Sequence, residues 1–279
     1  MKIYPKTNEY LEGIEEFEKT LKEYKGIEIQ YFKKSDKELV DFKIEKPIDQ
    51  ILERYPYIEE ITIHPPLCEY ELEIVLLKDK NIFLNQIKTI VRLSKKYNIK
   101  INIVEHTRFL MSKAKLTILP VLEKAKKIMK NTNTKIVFEN IYMMEEQEKC
   151  SVIELCEYLN SENMKVCIDM CHLYCQAHIY KKKIEEFLKK YLNKEKCQRQ
   201  VYQIHFAYTA NEDGYIDRTT HAIMHPNEET LYYDAKLLCQ YGMGDCNWIT
   251  EVSEKDYSTR KDQVNEIKML SNQKIKLEE

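Results

Sequence analysis

Short β-rich runs alternate with amphipathic segments along the whole chain, and this alternation restricts the fold more than any other feature. After an opening strand, a helix is expected over Asn8 to Tyr24, where Leu11, Ile14, Phe17 and Leu21 recur at helical spacing and Gly26 closes the segment. β-Rich runs follow at Ile27 to Phe32, Glu60 to His64, Ile99 to Glu105, Thr134 to Phe138, Lys165 to Ile168, Val201 to Phe206 and Asn247 to Thr250. Helices are expected from near Pro47 and over Asn81 to Asn98, Leu116 to Lys130, Ser151 to Leu159, Lys181 to Leu192, Glu228 to Tyr241 and Lys261 to Leu270. About eight strands, each followed by a helix, with no long linker or shift in composition, predict an α/β fold: a (β/α)8 TIM barrel forming a single domain over residues 1–279. A doubly wound open sheet fits less well, because it usually begins with a phosphate-binding glycine turn and none is present.

Composition narrows the function classes. Hydrophobic residues at 43% and charged residues at 32% exclude a disordered chain, and no apolar run approaches the roughly 18 residues that span a bilayer. The N-terminus lacks a signal-peptide core, so an intracellular protein with no membrane partner is expected. The net charge of −2 lacks the basic balance of a general nucleic-acid binder, so any such binding needs a local patch. Nine scattered cysteines point to reduced thiols. Cys167, Cys171 and Cys175 lack a Cys-x-x-Cys knuckle and read as small buried hydrophobes. The lysines of Tyr180 to Asn193, balanced by Glu185 and Glu186, read as the solvent face of an outer helix.

The chemistry gathers at strand ends. Val166-Cys167-Ile168-Asp169-Met170-Cys171-His172 is an apolar run ending in a carboxylate and, three residues on, an imidazole. Alone, this reads equally as a strand-end Asp capping the next helix. His64 ends the third strand, His106 follows the fourth, Glu139 the fifth and Asp169 the sixth, with His172 beyond; His205 lies in the seventh and Glu251 ends the eighth. In a barrel these positions converge on the C-terminal mouth, where active sites of this fold are built. Four of the chain's seven His fall there, and so many ionisable groups at one apolar rim would be costly without cations. The set exceeds the ligand needs of one ion, which favours two or three ions sharing Glu139 or Glu251. Mixed imidazole and carboxylate donors suit Zn²⁺ first, with Mn²⁺ or Fe²⁺ as alternatives.

Phe138-Glu139-Asn140, Cys167-Ile168-Asp169-Met170-Cys171-His172, Gln203-Ile204-His205, Ile216-Asp217-Arg218 and Thr250-Glu251 occur in an order that resembles the endonuclease IV family of abasic-site nucleases, within the xylose-isomerase-like TIM barrels. The resemblance covers about residues 60 to 255. It implies a DNA-repair hydrolase that cuts the phosphodiester 5′ to an abasic site in double-stranded DNA at a trinuclear zinc centre, leaving a 3′-hydroxyl. By the same resemblance His64, His106 and Glu139 hold the first ion, and Glu139, Asp169, His205 and Glu251 the second. His172 belongs to the third, with an Asp-Arg-His triplet from which this chain departs: Asp217-Arg218 is followed by Thr219, and the nearest imidazole is His221.

Glu139, Asp169 and Glu251 are the residues expected at the reacting centre, with Glu251 orienting the nucleophile. The inserting loops also depart from the family. Leu67 is the candidate wedge, and Lys33, Lys34, Arg108, Lys113 and Arg218 are candidate phosphate partners, with neutral surface loops as the alternative. A monomer is expected. The rival enzyme is a sugar isomerase or epimerase in which Glu139, Asp169, His205 and Glu251 hold one Mn²⁺ or Zn²⁺, leaving His64 and His106 without a task. A third reading is a binding module that keeps a structural metal.

Overall fold

Alternation within each strand decides which side chains line the barrel. In Glu60-Ile61-Thr62-Ile63-His64 the two isoleucines join a continuous core with Ile87, Ile90 and Leu122 of the helices, while Glu60, Thr62 and His64 form polar contacts across the barrel. The computed structural model describes residues 1–31, 44–65, 72–106, 118–140, 152–192, 195–209, 222–254 and 256–278. Its eight strands are β1 (Lys2–Asn8), β2 (Gly26–Gln30), β3 (Glu60–His64), β4 (Lys100–His106), β5 (Ile136–Glu139), β6 (Met164–Asp169), β7 (Val201–Phe206) and β8 (Asn247–Thr250). All pair in parallel with their sequence neighbours, and Lys2↔Asn247 to Pro5↔Thr250 close the ring. This is the expected (β/α)8 barrel.

The helices are α1 (Glu18–Tyr24), α2 (Glu45–Arg54), α3 (Leu72–Tyr97), α4 (Leu119–Met129), α5 (Val152–Leu159), α6 (Met170–Ile179), α7 (Ile184–Leu192), α8 (Glu195–Gln198), α9 (Glu228–Gln240) and α10 (Lys261–Glu278). No helix among the described residues is long and apolar enough to cross a membrane. Lys181, Lys182, Lys183 and Lys189 are exposed, as expected of an outer face.

Besides α3, which starts at Leu72 rather than Asn81, two segments differ from the sequence reading. The first helix does not start at Asn8, which is the last residue of β1; its side-chain oxygen accepts the N–H groups of Tyr10 and Glu12 in a local turn. Leu11 (φ 60°) and Gly13 (φ 65°) are left-handed, so regular helix begins only at Glu18, after a 3-10 turn over Ile14–Phe17. The second difference is α6, which the sequence did not announce. Met170, Cys171, His172, Leu173, Cys175 and Ala177 are all buried, so it lacks the polar stripe that marks a surface helix.

Polar residues fill the barrel from its floor upwards. At the floor, Glu60 accepts hydrogen bonds from Tyr202 (2.6 Å), Asn247 (2.8 Å), Asn102 (2.9 Å) and Tyr4 (3.4 Å). The β6–β7 register shifts between Val166 and Cys167, so Tyr202 has no facing partner and its hydroxyl reaches Glu60. The Tyr4 ring lies directly on Gly26, where a Cβ would come within 2.2 Å of ring carbon, so only glycine fits. Above this layer, Thr62 bonds Gln203 (3.3 Å) and Gln203 donates to Glu28 (2.7 Å). Outside the barrel, buried His225 lies between Glu266 of α10 and Asp234 of α9, stacked on Phe206, and Tyr174 of α6 donates to the same Asp234.

Candidate metal centre

The barrel brings His64, His106, Glu139, Asp169, His205 and Glu251 to one rim. His64, His106, Glu139 and Asp169 are the last residues of β3, β4, β5 and β6, and Glu251 directly follows β8. Register levels them, because His106 pairs with Glu139 and Asp169 with His205. The strands end one residue later than expected at β4, β5 and β6, which places each ligand-type side chain on regular strand rather than on a loop.

Glu139 is the hub. One of its oxygens lies 3.1 Å from His106 Nε2 and 3.3 Å from His172 Nδ1; the other lies 3.1 Å from His205 Nδ1 and 3.5 Å from His64 Nε2. His205 Nδ1 is also 2.7 Å from Glu251 and 3.9 Å from Asp169. Among the described residues five overlapping triads have metal-ligand spacing, and Glu139 belongs to three of them: with His64 and His106, with Cys167 and His205, and with Asp169 and His172. Asp169, His205 and Glu251 make another, and Glu28, His64 and His205 the last.

Outer contacts fix how each ring is presented. His64 Nδ1 lies 2.9 Å from the Pro65 carbonyl and His172 Nδ1 lies 2.7 Å from the Asn140 carbonyl. Carbonyls only accept, so those nitrogens carry the protons and both Nε2 atoms carry lone pairs. Asn140 also joins β5 to β6 by accepting Asp169 N–H (2.7 Å) and donating to the Asp169 carbonyl (3.2 Å). His205 Nε2 lies 3.1 Å from Glu28 and 2.8 Å from the Gln203 amide nitrogen, so Nδ1 is the ring nitrogen that faces the centre.

Electrostatics match this crowding. Burial works against ionised Glu139, but His106 and His205 hold it well below the usual carboxylate range, and His205 and Lys6 do the same for Glu251. Glu28 is brought down to about 2, against burial, by His205 and Lys6. Burial opposes charge on His205, yet the carboxylates Glu251, Glu28 and Glu139 raise it well above its ordinary value. Burial pushes the Cys167 thiol up, which keeps it protonated and a poor ligand, in line with its reading as a hydrophobe. Cys167, Cys171 and Cys175 are buried and free of disulfides.

The donor set fits a metal. His106 Nε2, Glu139 Oε2, His205 Nδ1 and Glu251 Oε2 are buried and make no hydrogen bond, although they converge within about one ligand shell of each other. Buried polar atoms left this way cost roughly 1–3 kcal/mol each, and a shared cation removes that cost. The deeper Glu28, His64 and His205 triad is different. Lys6 lies 3.0 Å from one Glu28 oxygen, and Gln203 and His205 reach the other, so an ammonium already balances the charge of that carboxylate.

Asp217 and His221, proposed for a third ion, lie outside the described residues, as do Lys33, Lys34, Leu67, Arg108, Lys113 and Arg218. Sequence reasoning missed Lys6, Glu28 and Gln203, whose charge or polarity within strand runs was the available signal. No protein-family model and no curated protein matches the sequence. Solved structures do match. The zinc-bound IOLI protein is 16% identical over 99% of this chain and 98% of that one, with a TM-score of 0.65. A D-tagatose 3-epimerase-like protein is 16% identical over 100% and 98%, with a TM-score of 0.60. Endonuclease IV from Thermus thermophilus is 13% identical over 96% and 99%, with a TM-score of 0.55. These likenesses show the fold alone, a (β/α)8 barrel that an epimerase-like protein and a nuclease share.

Proposed function

We propose that the protein is a metal-dependent phosphodiester hydrolase of the endonuclease IV type, cutting duplex DNA 5′ to abasic sites and leaving a 3′-hydroxyl. The observation that carries this reading is that Glu139 has metal-ligand spacing both to His64 and His106 and to His205, which in turn meets Asp169 and Glu251. A one-ion isomerase gives His64 and His106 nothing to bind. Bound Zn²⁺, or Mn²⁺ or Fe²⁺, would supply Lewis acidity toward a phosphoryl oxygen and lower the pKa of water toward neutrality.

The chain's own residues then divide the work. Glu139 holds the two ligand sets at fixed separation, and Asp169 and His205 fix the second set from adjacent strands. Glu251 keeps one oxygen on Lys6 and turns the other toward the centre, where it orients the attacking water. His172, its Nδ1 proton held by the Asn140 carbonyl, would offer Nε2 as a further ligand atom. Because an abasic nucleotide is unpaired, selectivity rests on ease of extrusion more than on base contacts.

The test is a duplex oligonucleotide carrying one tetrahydrofuran abasic analogue. Metal-dependent incision 5′ to the lesion, lost with chelator and in Glu139→Gln, is expected; no such incision by metal-loaded protein would sink the nuclease reading. One observation favours a second reading. Asp169, His205 and Glu251 form one triad with metal-ligand spacing, and Glu139 lies 3.1 Å from His205, a set that would serve one ion in a sugar isomerase or epimerase. A metal content near one ion per chain would select it.

A further inference from the structure

Beneath the metal centre lies a charged pair, Lys6 and Glu28, that is a ligand in neither enzyme reading. Lys6 and Glu28 are register partners on β1 and β2, and closure of the barrel onto β8 brings Lys6 beside Glu251. The Lys6 ammonium lies 3.0 Å from Glu28 and 2.5 Å from Glu251. The second Glu28 oxygen lies 3.1 Å from His205 Nε2 and accepts the Gln203 amide at 2.7 Å, and that amide nitrogen is itself 2.8 Å from His205 Nε2. Side chains of Glu28 and His205 are fully buried and Lys6 is nearly so, so these contacts are not weakened by solvent.

We propose that Glu28 and Lys6 are positioning residues of the metal centre: Glu28 fixes the His205 tautomer so that Nδ1 is its ligand atom, and Lys6 ties Glu251 to a single metal-facing oxygen. A histidine has two equivalent-looking nitrogens, and a carboxylate hydrogen bond to one selects the other for the metal and makes it more basic. Glu251 has two oxygens, and the ammonium takes one, leaving Oε2 toward His205 and Asp169. The pair is neutral as a whole, so it orients both ligands without adding net charge to the centre. The inference rests on the metal centre common to both enzyme readings and not on the choice between DNA and sugar.

Zinc affinity measured by chelator competition, without any substrate, tests it. Glu28→Leu is expected to weaken binding by about 10–100-fold, the usual cost of losing an outer-shell partner, and Glu28→Gln, which still accepts the Nε2 proton, to recover most of it. Lys6→Met is expected to weaken zinc binding too; a purely electrostatic lysine would do the reverse, since removing its charge favours a cation. Either single change removes one charge of a buried pair, so the Lys6→Met/Glu28→Leu double variant, which removes both charges, is the folded control and should still bind weakly. Nitrogen-15 NMR of zinc-loaded protein should show His205 protonated at Nε2 and metal-bound at Nδ1. Wild-type affinity in Glu28→Leu or the double variant, stronger or unchanged binding in Lys6→Met, an Nε2-bound His205, or a wild-type protein that binds no zinc overturns the proposal. Failure to incise abasic DNA with these results intact removes only the nuclease reading.

Discussion

One oxygen of Asp169 accepts the backbone N–H of His172 at 2.7 Å, while the other lies 3.8 Å from the Nδ1 of that same histidine. The carboxylate therefore caps α6 and faces the ligand cluster at once. A helix cap and a metal ligand are often weighed as competing explanations for a strand-end Asp; in this barrel the two oxygens separate the roles.

That separation makes Asp169→Asn informative. Asn caps helices as well as Asp does, whereas a cap lost to Ala typically costs about 1 kcal/mol. The chelated Asp169→Asn protein is expected to melt close to the chelated wild type, and Asp169→Ala lower. Both should lose bound metal. Thermal melts in chelator, paired with metal analysis, separate the two roles; an Asn variant that keeps its full metal content would remove Asp169 from the ligand set.

The floor of the barrel should behave in the opposite way. Glu60 takes donors from Tyr4, Asn102, Tyr202 and Asn247, so Glu60→Ala strands several buried donors at once. Unfolding by urea is expected to show a loss of about 3 kcal/mol or more, with metal stoichiometry unchanged in the folded fraction. Loss of metal without loss of stability would mean that the floor and the rim are coupled.

His225 gives a pH signature independent of the ligand cluster. Burial opposes its charge, but Asp234 and Glu266 outweigh it and raise the pKa from 6.5 to about 9. Because the folded value lies above the unfolded one, the stabilisation is complete below about pH 6.5 and is lost as pH rises through about 9. Its upper bound is about 3 kcal/mol. The stability difference between wild type and His225→Gln is therefore expected to shrink between pH 6 and pH 9.5, measured in chelator by urea unfolding. A difference that grows with pH would show that His225 is neutral in the folded protein.

The barrel was legible because its strand and helix periods differ, and the rim because His64, His106, Glu139, Asp169 and Glu251 each stand where an apolar run stops. Lys6, Glu28 and Gln203 were not. They sit inside strands, where alternation shows that two faces exist but not which one turns into the barrel, and their partners lie on strands far away in sequence: Lys6 meets Glu251, and Glu28 meets His205. Helix α6 was hidden for a related reason, since a helix with most of its residues buried carries no polar stripe. The break after Asn8 depends on left-handed Leu11 and Gly13, and a Leu in that conformation leaves no mark in the sequence.

The central claim is that Glu139 bridges two ligand sets rather than completing one. Native mass spectrometry of zinc-reconstituted protein, with the Glu139→Gln variant beside it, tests this directly. Two or three ions per chain in the wild type, falling by at least one in the variant, is the expected result. A wild type that saturates at one ion, or a variant that keeps the full wild-type count, would contradict it.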